Sequence, residues 1–544
     1  MPDDPVTYNP RSPAMKQTLS LFVLSVVFFM LQACSTKTNA PVQLQPALTK
    51  AGANRTEIQA VIDHYSSNPA DSLKLRAALF LISGMPGRGY EKYTLADSGL
   101  NNVEINLFQY KFKDSIRKMK EHLEQLRGKE IIFEDKGFRE DIQHISAQQL
   151  IENIDCAFSV KEQPWAKHLS FSQFCEYILP YRMGEEPLQN WRKRFYTQTA
   201  WITDSCMDKS VLATTAFIND SIKRGYSYKH LGLFYYPGNL NLQQLNDLTG
   251  GRCQDLNMIA CYWFRAAGLP VASEFTPFWA NSNFGGHLWL SILDKDGRFV
   301  PITAGYDNPR RDTLPFENKL AKAYRIMYST QANSLAAATR GKETIPPHLA
   351  NEHLADITDE YIPASDITIR LQHTDTGSHY AYLGVLNGES WQIVGWGKIN
   401  ASRDSATFLK AGQNVIYIPM VIVNNNYEIA GDPFLLNNKG ETEWLIPSGK
   451  KTELVFNEVD GSRWLNMDRK YHLIYWNKGK WEDLEGTQTI VGDPQVLKKN
   501  KQSHYLHFSN VPEQAVLRMV RDTIFRPNDL GRPVVLKNGK YNVY

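Results

Sequence analysis

Two side chains in the stretch from Gly250 to Asp307 have the types and spacing to do chemistry, the thiol of Cys253 and the imidazole of His287. Gly250 and Gly251 lead into Cys253, and Leu256, Ile259, Ala260, Trp263, Phe264 and Ala267 follow at helical spacing, which predicts Cys253 at a helix N-terminus. Unpaired N–H groups and the positive end of the helix dipole there favour thiolate over thiol. Gly268 and Pro270 supply the stop. The alternating run from Gly285 to Leu293, followed by the turn string Asp294-Lys295-Asp296-Gly297, predicts a hairpin with His287 at its entrance. Histidine is the side chain that holds an imidazolium–thiolate pair and then protonates a leaving amine near neutral pH.

A cysteine on a helix N-terminus with a histidine on a following strand is the papain-type arrangement. The segments GGRC, RAAGLPV, Pro277-Phe278-Trp279, GGHLW and DKDGRFVPI resemble the core of transglutaminase-like thiol proteins, over roughly residues 200–310. The strings DSLKLRAALFLISGMPG and FSQFCEYILPYRMGEEPLQNW resemble a subgroup of secreted bacterial lipoproteins with that core, which widens the likeness to most of residues 54–310. The resemblance implies Cys253 as nucleophile and His287 as base. It also implies an aspartate on the strand after the histidine hairpin, where this chain has Thr303. Asp307, just past that strand, is the favoured third member if the chain turns back at Gly305; Asn308 is a weaker substitute, and a site with two working members is the alternative.

Plainer readings stand beside these. A cysteine at a helix start is usually a small buried hydrophobe. Trp279 and Trp289 are candidates for lining a substrate cleft, and equally for the core. Glu176, Tyr181, Arg182, Glu185 and Glu186 border either the cleft or a domain-junction salt-bridge cluster.

The length of 544 residues accommodates three or four domains, and Lys+Arg 60 against Asp+Glu 57 leaves no footprint for nucleic acid. Met15-Lys16 followed by about 13 apolar residues has the pattern of a signal peptide and is too short to span a bilayer. Leu31-Gln32-Ala33-Cys34-Ser35 resembles a lipobox, which implies lipidation of Cys34, a bacterial outer-membrane lipoprotein facing the periplasm or the cell surface, and membrane contact through the anchor only. The other five cysteines show no metal spacing, so neither a metal nor a cofactor is expected. His348, His353 and Asp356 read as a surface loop rather than ligands.

The expected architecture is α+β and multidomain: an extension and signal peptide over 1–34, a tether over 35–54, a helical domain over 55–195, a papain-like transglutaminase core over 196–363, and antiparallel β-sandwiches over 364–465 and 466–544. A helical run is expected from Phe316 to Gln331. The two sandwiches share a repeat: Val385 to Trp391 resembles Ile474 to Trp481, and Asp432 to Gly440 resembles Arg532 to Lys540. Trp391, Trp396, Trp476 and Trp481 suit a glycan-stacking surface or cross-strand packing alike. The expected function is a thiol amidohydrolase or peptidase acting on peptide or glycopeptide amides. The alternatives are a true amine-accepting transglutaminase and a non-catalytic binding or adhesion scaffold on the same fold.

Overall fold

The computed structural model describes residues 44–111, 113–229, 236–282, 285–372, 377–388, 390–457, 471–484, 505–521 and 533–544. The signal-peptide segment and Cys34 lie outside them. The chain combines helices with antiparallel sheets, an α+β architecture.

The first part runs through α1 (Gln45–Lys50), α2 (Arg55–Ser66), α3 (Ser72–Ser83), β1 (Gly89–Asp97), α4 (Lys113–Arg127), β2 (Ile131–Glu140), α5 (Ala147–Ser159), α6 (Phe171–Tyr177), α7 (Arg192–Thr199), α8 (Ile202–Ser205) and α9 (Val211–Gly225). Serines start several of these helices: Ser146, Ser170 and Ser210 each accept a hydrogen bond from the backbone N–H three residues on. Two expectations change here. The segment 44–54 is no tether, because Leu44, Ala47, Leu48 and Ala51 recur at helical spacing and are buried. Nor is 55–195 wholly helical, since β1 and β2 pair antiparallel along their length.

After β3 (Ser227–Tyr228), α10 (Leu242–Leu248) and β4 (Gly250–Gly251) comes the central helix α11 (Cys253–Ala267). A five-stranded sheet follows, in the order β7 (Phe299–Ile302), β6 (His287–Leu293), β5 (Val271–Thr276), β8 (Tyr324–Ile326), β9 (Leu354–Asp356). One hydrophobic core joins α1 through α11 to Leu290, Ile292, Ile302 and Tyr328, so no boundary falls at residue 195. Residues 316–331 form no helix; β8 lies within them, hydrogen-bonded to β5 on one side and β9 on the other. The stretch 348–360 is not a surface loop, because β9 and α13 (Thr358–Tyr361), which follows α12 (Leu335–Thr339), build it into the sheet.

From β10 (Ala364–Arg370) the burial alternates, Ile367 and Ile369 inward and Asp366, Thr368 and Arg370 outward. β11 (Tyr380–Asn387), β12 (Ser390–Ile399), β13 (Ser405–Gly412), β14 (Val415–Val423), β16 (Phe434–Leu436) and β17 (Thr442–Trp444) complete one curved half-barrel sheet, with β15 (Asn426–Ile429) on β14. It is a single sheet rather than a sandwich. β18 (Lys451–Asn457) leaves it to pair with β21 (Tyr505–Pro512), which moves the module boundary from 465 to before Lys451. β19 (Tyr471–Asn477), β20 (Lys480–Asp483), β22 (Val516–Arg521), β23 (Val534–Lys537) and β24 (Lys540–Val543) form a second sheet that shares a core with β18 and β21. The first pair of repeat segments folds alike, with hairpins at Asn387↔Ser390 and Asn477↔Lys480, whereas the second pair differs, closing at Leu436↔Thr442 and at Lys537↔Lys540.

Candidate functional site

Cys253 is the first residue of α11, as its spacing predicts. Asp255 accepts the Arg252 backbone N–H at 2.9 Å and Arg252 Nε at 3.1 Å, which closes the first turn. Gly268, at φ 83°, ends the helix in the left-handed region. The approach to the thiol is set by Gly250, at φ 150°, where a Cβ would meet the Ser227 carbonyl at 2.0 Å. Only glycine allows β4 to run beside β3 and deliver Cys253 at the helix start.

Burial raises the Cys253 pKa above its ordinary value. Hydrogen bonds from the backbone N–H groups of Gln254 and Leu288 pull it down, Asp255 raises it and Arg252 lowers it, and desolvation outweighs the rest. The thiol thus has two donors but, among the described residues, no activating base.

His287 begins β6 opposite Thr276. Because side chains alternate along a strand, His287, Trp289 and Ser291 share one face while Leu288, Leu290 and Ile292 take the other. Leu290 and Ile292 pack in the core of α11, whereas Trp289 packs with Trp279, Leu320 and Ile357 behind the sheet. The His287 ring follows Trp289, stacking at 6.1 Å on it and at 6.0 Å on Trp279. Among the described residues no hydrogen bond joins His287 to Cys253 or to any carboxylate, and burial alone lowers its pKa.

Asp307 does not complete the set either. The register Leu290↔Ile302 places Gly305 in line with His287. Asp307 then lies exposed in a turn, its N–H bonded to the Thr303 carbonyl at 3.0 Å and its carbonyl accepting from Asn219 at 3.0 Å. Asn308 turns away to Asn219, Lys223 and Asp220. Thr303 keeps a buried hydroxyl without a partner. The structure therefore brings none of Cys253, His287 and Asp307 into mutual hydrogen-bond contact.

Trp279 and Trp289 are buried in one hydrophobic cluster. Trp289 is fully buried, and its Nε1 donates at 3.0 Å to Glu274, a carboxylate at 0% exposure on β5. Ser291 Oγ at 2.7 Å, Tyr361 and the Arg325 guanidinium also hold Glu274, and Arg325 reaches on to Glu360. Trp279 sits in the loop before His287, and Asn387 at the end of β11 anchors it, donating to the carbonyls of Trp279 at 2.9 Å and Gly285 at 3.0 Å. Of the polar group from 176 to 186, Arg182 and Asp141 form a buried ion pair at 2.6 Å, Tyr181 donates to Asp141, and Glu176 and Glu186 accept backbone N–H groups. Glu185 borders a cavity.

That cavity, of 580 Å³, opens beside the start of α11, and its walls include Gln254 and Leu288, the two residues that donate to Cys253. His348, His353 and Ser273 also line it. Spacing alone did not single out Ser273; the signal is its position in Val271-Ala272-Ser273-Glu274-Phe275, where alternation turns a hydroxyl toward the apolar face of β5. Burial, and then the Arg88 guanidinium, lowers the His353 pKa to about 4 from 6.5. An unfolded chain therefore binds a proton here before the folded one, and the contribution present above pH 6.5 is lost as pH falls toward 4. His353→Gln is expected to flatten the fall in unfolding free energy across that window, measured by urea titration of both proteins at several pH values.

The five described cysteines, Cys156, Cys175, Cys206, Cys253 and Cys261, are all unbridged. Among the described residues no three histidine, cysteine or acidic side chains gather as metal ligands, and no helix is long and apolar enough to cross a membrane. None of the candidate stacking residues Trp391, Trp396, Trp476 and Trp481 is exposed. Trp391 and Trp476 are buried, meet edge to face at 5.6 Å and join the two modules, with Trp481 beside them at 5.2 Å. Trp396 packs edge to face on Tyr380. Compared with known protein families and with curated proteins, the chain matches none.

Proposed function

We propose that this chain is a ligand-binding protein that keeps a papain-like, transglutaminase-like fold without its catalysis, held outside the cytoplasm by a lipid on Cys34. The observation that carries this reading is the seat of His287 against Trp279 and Trp289, with no carboxylate partner and no bond to Cys253 among the described residues. A base so placed neither takes a proton from the thiol nor returns one to a leaving group. The fold then serves as a scaffold, with the cavity beside α11 as its binding feature.

A second reading, the thiol amidohydrolase, is favoured by the N–H groups of Gln254 and Leu288 at the sulfur. They steady a thiolate, and in a hydrolase Cys253 would attack the amide carbonyl while His287, freed from its aromatic seat, carried the proton to the amine.

Alkylation by iodoacetamide against pH separates the two. On the scaffold reading, Cys253 reactivity rises only near or above the ordinary thiol value of 9 and is the same in wild type, His287→Ala and Asp307→Ala. The other free thiols are subtracted with Cys253→Ser. A plateau already reached below pH 7, and abolished in His287→Ala, would establish the hydrolase instead.

A further inference from the structure

The cavity beside α11 carries two polar atoms that the fold leaves unsatisfied. Ser273 is 3% exposed and His353 6% exposed, both line the cavity, and neither Ser273 Oγ nor His353 Nδ1 has a hydrogen-bond partner. A buried polar atom left without a partner is costly, so a pair of them in one cavity marks a place where a ligand supplies the missing bonds. The volume of 580 Å³ falls within the range of small-molecule sites.

The chemistry of the missing partner follows from the protons. The His353 ring donates to the backbone carbonyl of Ser329, and with Nδ1 unpartnered that donor is Nε2. Nδ1 of the neutral ring is then a lone pair, which asks for a donor. His348 is arranged alike, its Nε2 at 2.9 Å from the Ile393 carbonyl, so its proton is there and its Nδ1 also accepts. Ser273 Oγ both donates and accepts. Phe275, Leu288 and Ile326 supply an apolar wall against which C–H faces pack.

Charge narrows the class further. Arg88 is engaged with the carbonyls of Gly84, Met327 and Tyr328 and lies 4.2 Å above the Tyr328 ring, so its donors are directed into the protein. Its charge opposes a second cation next to His353. Glu185 and Glu352, exposed on the lining, oppose an anion.

We propose that the cavity bordered by Ser273, His348 and His353 binds a neutral, hydroxyl-rich ligand, a sugar or related polyol. Its hydroxyls donate to the two Nδ1 atoms and exchange a hydrogen bond with Ser273 Oγ. The proposal rests on the scaffold reading and names its ligand class.

The test is saturation-transfer NMR and calorimetric titration of the full chain with D-glucose, D-galactose, D-mannose and N-acetyl-D-glucosamine, in wild type, Ser273→Ala and His353→Gln. Glutamine at 353 keeps an N–H for the Ser329 carbonyl and removes the Nδ1 acceptor; Ser273→Ala is small enough to leave packing intact. The expected result is that one of these sugars binds and that its Kd rises about tenfold in each variant, the loss of one good hydrogen bond. Binding of none of the four, binding undiminished in both variants, or tighter binding of sodium phosphate or N-acetylalanine methylamide than of any sugar would overturn it. Failure of the sugars while Cys253 alkylates as an ordinary thiol removes only the ligand class. An activated thiol removes the scaffold reading itself.

Discussion

Arg192→Met is expected to cost about 4–5 kcal/mol of stability, enough to unfold many domains at ordinary temperature. Arg192 is 1% exposed at the start of α7 and has no carboxylate partner among the described residues. It donates instead to Asn153 Oδ1 at 2.6 Å and to the backbone carbonyls of Ile178, Leu179, Pro180 and Arg265. Burial, with the Arg265 guanidinium next, lowers its pKa to about 9, still above neutrality, so the charge is present and its field strengthens each bond. Removing the charge relieves a desolvation penalty, but methionine leaves Asn153 Oδ1 and the Ile178 carbonyl dry and takes one donor from the carbonyls of Leu179, Pro180 and Arg265, which keep Asn153 Nδ2, Arg265 Nη1 and the Gly268 N–H, and these losses outweigh that relief. Arg192→Lys keeps the charge and three donors without the planar fork, and is expected to lose about half as much. Urea denaturation followed by far-UV circular dichroism measures both; an Arg192→Met protein within about 1 kcal/mol of wild type would contradict the account.

The second large effect is at Arg325. Arg325→Met takes the cation from Glu274, which is at 0% exposure, and the expected cost is about 3–5 kcal/mol, as for other buried pairs broken on one side. It also removes the guanidinium stacked 3.4 Å from the Phe299 ring. A carboxylate left alone there finds relief by taking up a proton, which the unfolded chain does less readily. The folded variant then binds more protons than the unfolded one, so its deficit is expected to shrink as pH falls from 8 to 5. Adding Glu274→Gln removes the orphaned charge while keeping an acceptor for Ser291 and Trp289, so the double variant is expected to be more stable than Arg325→Met at pH 8. A double variant as unstable as the single one would show that packing on Phe299, and not charge, dominates.

The local structure around Cys253 was legible in the chain. Two glycines, a repeat of period 3.6 and a left-handed Gly268 bound a helix whose ends coincide with Cys253 and Ala267. The strand His287–Leu293 was equally plain. The face on which His287 works was not. Alternation groups His287 with Trp289 and Ser291 but does not say which face meets α11, because both faces of β6 are buried. The covering residues, Phe316, Leu320, Ile357 and Tyr361, arrive from further along the chain. The same burial turned 316–331 from an apparent helix into a segment containing an interior strand, since pairing on two edges outweighs periodicity over three residues. His353 looked like part of a polar loop because its neighbours Glu352 and Asn351 are polar, yet it lies next to the strand that carries it inward.

The hydrogen bonds from Asn387 set a timetable for the site. Asn387 lies 102 residues beyond Gly285, an interval of about 5–20 s at ordinary rates of chain elongation. Until it arrives, the Trp279 carbonyl lacks the Asn387 amide and the Gly285 carbonyl has only the Trp279 N–H at 3.0 Å. The bonds to Trp279 and Gly285 are thus completed only by a hairpin of the following module. A ribosome paused before residue 387 would hold Cys253 and His287 without the amide that braces the segment before His287.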